Sequence, residues 1–194
     1  MRVYHSPGSR STRVVWALEE AGASYEATVL TLDERRGEEH RTRHPLGRVP
    51  VIEFDDGQTM FESAAICLYL GDLFPLSGLV PEVGSPDRPR VLQWVLYAMT
   101  EVEPALLRWT RAKREGEDET EHSDRFAELA APLESAIGDR LYIVGDRLTV
   151  ADIILARILN IVRNELGTYR TLENYVDLAL ARPAHARAYA LGRD

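Results

Sequence analysis

Residues 44–61 read HPLGRVPVIEFDDGQTMF, and Glu62-Ser63 follows at once at the head of ESAAICLYLGDLF. The apolar, β-branched run VPVIEF, the turn DDGQ and the short run TMFE predict a strand, a hairpin turn and a second strand. Ala65, Ile66, Leu68, Tyr69, Leu70 and Leu73 then fall largely on one side of a helix that the Glu-Ser pair opens. Taken as residues alone, Pro50 is an edge-strand proline and Glu62-Ser63 a helix cap.

Upstream, MRVYH is a short apolar start, and Arg10 to Ala21 carries Val14, Val15, Ala17, Leu18 and Ala21 at helical spacing, closed by Gly22. YEATVLTL (25–32) is β-branched enough for a strand, and DERRGEEHRTRH predicts a polar helix or loop. The order is therefore βαβ, a polar segment, then ββα. Downstream, four prolines between Pro75 and Pro89, with glycines and serines among them, mark a linker. Helical spacing resumes through Val91, Trp94, Val95, Ala98, Val102, Leu106 and Trp109, with Pro104 inside it as a kink. His122 to Ile137 predicts another helix and Thr149-Val-Ala-Asp152 a capping box, while Gly167 and Pro183 divide the remaining chain into shorter helices. These patterns predict a first α/β domain over 1–75, a linker over 76–89 and an all-helical domain over 90–194.

The chain has 194 residues, 45% of them hydrophobic, and a formal net charge of −8. That balance offers no global field for nucleic acid or an anionic membrane. The lone Cys67 excludes an internal disulfide framework and any CxxC site, and predicts a small buried apolar side chain in a reducing compartment. No basic region precedes an apolar run at the start, and no stretch of about 18 apolar residues exists to cross a bilayer. The expectation is a cytoplasmic protein without a metal site, a nucleic-acid partner or a membrane partner.

The βαβ–ββα order, with Val-Pro at the head of the third strand and Glu-Ser at the next helix start, resembles the glutathione-binding domain of the cytosolic glutathione transferases. SPGSRSTRVVWALEEAG is similar to that superfamily's first turn and helix, GDRLTVADI to the cap of its buried C-terminal helix, and RPAHARAYA to its last helix. The resemblance spans nearly the whole chain. It implies a thioredoxin-like N-terminal domain with a mixed four-stranded sheet, a helical-bundle C-terminal domain, a homodimer, glutathione as co-substrate and a hydrophobic electrophilic small molecule as acceptor.

The resemblance also distributes roles. It implies a cis bond before Pro50, with the Val49 N–H and C=O left to pair with the cysteinyl part of glutathione. Ser63, with a helix dipole behind it, would hold the γ-glutamyl carboxylate, and Glu62 would meet the ammonium. Among the basic residues Arg35, Arg36, His40, Arg41, Arg43, His44 and Arg48, it selects Arg48 for the glycyl carboxylate, with His40 second. His44 departs from the asparagine expected there. A free thiol has a pKa of about 8.5, so a donor must stabilise the thiolate. Arg10 stands where cysteine-type bacterial relatives carry their cysteine, and Tyr4 belongs to the strand, which leaves Ser9 first, Ser11 second and Ser6 third. Arg10 is either an aid to thiol ionisation and carboxylate binding or an exposed first-turn arginine. Tyr97, Glu101, Arg108 and Trp109, with Leu106 and Arg111, are candidates for the electrophile pocket; aromatic residues at this spacing equally suit a core. Glu103 is an alternative to Glu101 as a group reaching across a dimer. A glutathione transferase is the leading expectation. A glutathione-dependent isomerase or dehalogenase on the same fold, or a non-catalytic binding or regulatory module, are the alternatives.

Overall fold

The computed structural model describes residues 1–193. In chain order the elements are β1 (Arg2–His5), α1 (Ser11–Glu20), β2 (Glu26–Val29), α2 (Leu32–Arg36), α3 (Glu38–Arg43), β3 (Val51–Glu53), β4 (Thr59–Phe61), α4 (Ser63–Leu73), α5 (Asp87–Tyr97), α6 (Glu103–Glu115), α7 (Thr120–Ile137), α8 (Val150–Leu159), α9 (Arg170–Leu180) and α10 (Pro183–Ala190). They form two compact units: Met1–Val80 together with the chain from Arg182 on, and Pro81–Ala181.

In the first unit the sheet order is β2-β1-β3-β4. β1 runs parallel to β2 and antiparallel to β3, which is antiparallel to β4. A four-stranded mixed sheet is thus built with short strands, and Val51 and Ile52, on opposite faces of β3, are both wholly buried, as is Val3. Every residue of α1 from Ser11 to Leu18 is buried, because the helix packs on α4 along one side and α10 along another. Gly71 on α4 lies so close to Val80 that an added Cβ would meet its side chain at 2.3 Å, which glycine alone permits.

The last helix departs from the domain boundary expected at 90–194: it packs with the first unit. Two ion pairs fasten it. Arg182 donates to Glu20 from Nε at 2.6 Å and from Nη2 at 2.8 Å, and Arg187 Nε donates to Glu19 at 2.6 Å. Glu20 also accepts from the Trp16 indole, and Glu19 from the Tyr25 hydroxyl. Burial pushes the Glu20 carboxyl up, but the Arg182 and Trp16 hydrogen bonds and the nearby positive charges outweigh it and hold the pKa below the usual carboxylate value. A carboxylate with a depressed folded pKa lends stability above its unfolded pKa of about 4.3 and loses it as the pH falls through the folded value. Arg182→Ala is therefore expected to cost about 1–2 kcal/mol at pH 7. In urea melts the gap from the parent protein should close below about pH 4, where Glu20 protonates in both. A gap that is constant with pH would remove the ion pair as its cause.

The second unit is all-helical. The expected kink at Pro104 is present, but as a π-helical turn over Ala98–Val102 that ends α5 and restarts the chain as α6 with Pro104 in its first turn. There the missing N–H of proline costs nothing. Thr149 and Asp152 form the expected capping box at α8, whose residues are buried from Val150 to Ala156. Leu159 gives way to 3-10 turns over Asn160–Thr168 before α9. Among the described residues no helix is long and apolar enough to cross a membrane.

Candidate functional site

The sheet register brings three chain segments to one end of the first unit. Tyr4 of β1 lies opposite Val51 of β3, and Val51 lies opposite Phe61 of β4. Just beyond that row, β1 runs out into the turn 6–10, β3 is entered from Val49-Pro50, and β4 leaves into Glu62-Ser63. Strands sit about 4.8 Å apart, so the three exits span about 10 Å. An extended tripeptide spans about 10 Å as well.

At the centre, the Val49–Pro50 peptide bond is cis. The ladder begins at Val51, which leaves the Val49 N–H and C=O outside it. Val49 is anchored by packing against Tyr4, Leu30 and Val51.

At the β4 end, Glu62 is the only non-glycine residue with a left-handed backbone among the described residues, at φ 74°. Such a conformation costs about 1–3 kcal/mol and collects at ligand sites. Its side chain is exposed, whereas Ser63, first residue of α4, is 2% exposed. The Ser63 Oγ is buried without a hydrogen-bond partner, and its N–H, at the first position of a helix, has no intrahelical acceptor. Two donors at the positive end of a helix dipole, one of them orphaned, make a place for a carboxylate.

Cations flank the middle. Arg48 is exposed, with no ion pair among the described residues. Arg35, at the end of α2, has its Nε buried without a partner. An added Cβ on Gly47 would meet the Arg35 carbonyl oxygen at 2.5 Å, so a glycine at left-handed φ is what lets the turn carrying Arg48 close on α2. Arg35 is one of seven basic residues in this stretch, and spacing carries no sign that its Nε is buried. His40 proves different from the exposed cation expected: it is 1% exposed, and its Nε2 donates to the Arg48 carbonyl at 2.8 Å. It braces the backbone of Arg48 and does not face outward.

At the β1 end the turn serines form one network. Ser9 Oγ accepts from the Ser11 N–H at 3.2 Å, and its one proton has two acceptors in reach, the Ser6 carbonyl at 2.7 Å and Ser11 Oγ at 2.6 Å. Ser11 Oγ accepts from the Ser6 N–H at 3.1 Å and lies 2.8 Å from His5 Nδ1. Ser11 is wholly buried, while Ser9 is half-buried and open to a ligand. Arg10 is exposed just before α1. Tyr4 is buried and its hydroxyl donates to Glu53 at 2.6 Å, so it is committed within the strand pair. Cys67 is wholly buried, and burial pushes its thiol up to about 12, which makes it inert.

The electrophile-pocket candidates belong to the second unit, and they do not converge. Tyr97 donates its hydroxyl to the Leu129 carbonyl, Glu101 pairs with Arg125 at 2.9 Å, and Trp109 is buried against Phe126 with its indole donating to Glu119. Arg108 alone of the four lines an open cavity of about 810 Å³, shared with Thr120, His122, Arg125 and Glu128. Leu106 and Glu103 are buried, and Arg111 pairs with Glu115 along its own helix. Among the described residues no group of three or more His, Cys, Asp or Glu could hold a metal ion.

Comparison with known proteins agrees with this architecture. Residues 8–73 match the glutathione S-transferase N-terminal domain family and residues 88–169 the glutathione S-transferase C-terminal domain family. The glutathione S-transferase GstA of Escherichia coli O157:H7 is 27% identical over 162 residues, 82% of this chain and 81% of that one. A sphingomonad glutathione S-transferase solved in complex with glutathione is 31% identical, with 98% of each chain covered and a TM-score of 0.82. Elongation factor 1-gamma of Rattus norvegicus is 32% identical over 126 residues, 61% of this chain and 27% of that protein. A thioredoxin-like domain followed by a helical one defines the class, and the chain belongs to the cytosolic glutathione transferase superfamily.

Proposed function

We propose that this protein is a glutathione transferase whose thioredoxin-like domain, residues 1–75, holds glutathione across the ends of β1, β3 and β4. The observation that carries the reading is the orphaned Ser63 Oγ, buried at a helix N-terminus on the same sheet end as the free Val49 backbone and the half-open Ser9. The γ-glutamyl carboxylate accepts from Ser63 N–H and Oγ, and its ammonium meets Glu62. The cysteinyl amide pairs with Val49, and the glycyl carboxylate lies towards Arg48 and Arg35. On this reading the thiol lies towards the serine turn, the next exit along the strand order. There Ser9 donates to the sulfur, and the dipole of α1 favours the thiolate. The thiolate attacks an electrophilic small molecule, and its new bond to carbon completes the transfer. Homodimer formation and a cytoplasmic, detoxifying role follow from the family resemblance and belong to this proposal.

Ser63→Ala separates binding from folding. The substitution removes a buried hydroxyl that has no partner in the ligand-free chain, so urea melts should show unchanged or slightly raised stability. Loss of a hydrogen bond to a carboxylate, about 1.5–3 kcal/mol, should raise the glutathione Kd about 10- to 100-fold by calorimetry. Unchanged affinity would displace the γ-glutamyl end from Ser63. A non-catalytic binding role is the second reading, favoured by the likeness to elongation factor 1-gamma; retention on glutathione-agarose without turnover of any acceptor in an electrophile panel would establish it.

A further inference from the structure

The first unit contains a hydrogen-bonded chain that a donor serine alone does not require: Ser9 Oγ, Ser11 Oγ, His5 Nδ1, with steps of 2.6 and 2.8 Å. Its polarity is fixed at the far end. His5 Nε2 lies 3.2 Å from the Leu191 carbonyl, which can only accept, so Nε2 carries the proton. His5 is wholly buried, and burial lowers its pKa more than the Leu191 bond raises it. The ring is therefore neutral near pH 7, and Nδ1 is a bare acceptor. Ser11 must then give its proton to Nδ1, and its oxygen is left to accept from the Ser6 N–H and, in the rotamer that leaves the Ser6 carbonyl, from the Ser9 hydroxyl. Both acceptors within reach of the Ser9 proton, the Ser6 carbonyl and Ser11 Oγ, belong to the turn itself, so in either rotamer that proton is held within the turn. A Ser9 whose own proton is directed inward presents a lone pair outward, which suits accepting from a thiol S–H.

We infer that His5 is the positioning residue that takes up the thiol proton through Ser11 and Ser9. This rests on the glutathione reading above. The S–H bond breaks with its electron pair kept on sulfur, and the proton joins Ser9 Oγ. Ser9 passes its former proton to Ser11, and Ser11 passes its own to His5 Nδ1. Two O–H bonds break, two form, one N–H forms, and the pair ends as thiolate and imidazolium with no net charge transferred to solvent. Both hydroxyls have now reversed, so Ser9 donates to the thiolate it has just generated. The groups facing His5 are few. α1 contributes Ser11, β2 the apolar Val29 opposite it in the ladder, and the segment after α10 contributes the Leu191 carbonyl and the Arg193 guanidinium. Arg193 opposes the imidazolium, and the thiolate supplies the compensating negative charge.

The test counts protons. Glutathione is bound to the full chain at pH 7, thiolate is followed by its ultraviolet absorbance, and proton release is obtained from calorimetry in buffers of differing ionisation enthalpy, with S-methylglutathione as the control without a thiol. The parent protein should form thiolate while releasing close to no protons, because the proton stays on His5. His5→Gln, which retains an amide donor and acceptor but cannot titrate, should release about one proton per thiolate formed and carry a higher thiol pKa. Ser11→Ala, which cuts the chain but keeps His5 and Ser9, should behave like His5→Gln and keeps the test decisive if the histidine variant does not fold. About one proton released per thiolate in the parent protein overturns the relay and leaves the glutathione reading intact. Bound glutathione that forms no thiolate overturns both.

Discussion

Ser9→Ala should lower kcat/KM with glutathione and a chlorodinitrobenzene-type acceptor by about 10²- to 10³-fold, the loss seen when one preorganised donor to a developing anion is removed. The KM for glutathione should move little, because in the proposed binding mode the γ-glutamyl and cysteinyl contacts are made at Ser63 and Val49, away from the turn. The expectation follows from exposure and bonding within the turn. Ser9 is the half-open hydroxyl next to the N-terminus of α1, whereas Ser11 is wholly buried between Ser6, Ser9 and His5. Ser11→Ala should act less on turnover, about tenfold, and more on stability, since it strands the Ser6 N–H and His5 Nδ1. Steady-state kinetics on both variants decide the order. Unchanged turnover in Ser9→Ala beside abolished turnover in Ser11→Ala would exchange their roles.

Asp152→Ala should be the most destabilising single change away from the site. The Asp152 carboxylate is wholly buried and accepts from the Ile143 N–H at 2.9 Å, the Thr149 N–H at 2.8 Å, the Thr149 hydroxyl at 2.9 Å and the Tyr175 hydroxyl at 2.8 Å. One side chain thus ties the segment before α8, the α8 cap and α9. Alanine leaves four donors without an acceptor and a cavity beside them. Breaking a buried hydrogen-bonded network of this kind costs about 3–5 kcal/mol. For a chain of this length that corresponds to a fall in Tm of about 6–20 °C. A calorimetric scan reads it directly, and a fall of only a degree or two would show that the donors find water or other partners.

Much of this was legible because local chemistry and tertiary role coincide. VPVIEF, DDGQ and TMFE carry both a hairpin's turn residues and a β pattern, and the structure has β3, β4 and the turn between them. Thr149 to Asp152 signals a cap at fixed spacing, and the box forms. Strand lengths were overdrawn, since YEATVLTL yields only Glu26–Val29 as strand before Thr31 caps α2 through Glu34. Here a capping box outcompetes β propensity. The packing of α10 on α1 was illegible, because Glu20 and Arg182 are 162 residues apart and nothing local joins them. In the site, residue types were readable and orientations were not. The family resemblance named Ser9, Val49 and Ser63. It could not show that Ser63 Oγ has no partner, that His40 faces inward to the Arg48 carbonyl, or that the histidine of the first strand completes a chain with two serines.

The most direct measurement is a crystal structure of the protein soaked with glutathione. It should show the sulfur within about 3.5 Å of Ser9 Oγ, the cysteinyl amide on the Val49 backbone and the γ-glutamyl carboxylate on Ser63. A sulfur held by Arg10 or by no residue of the turn, with Ser63 Oγ still without a partner, would contradict the assignment of this sheet end as the glutathione site.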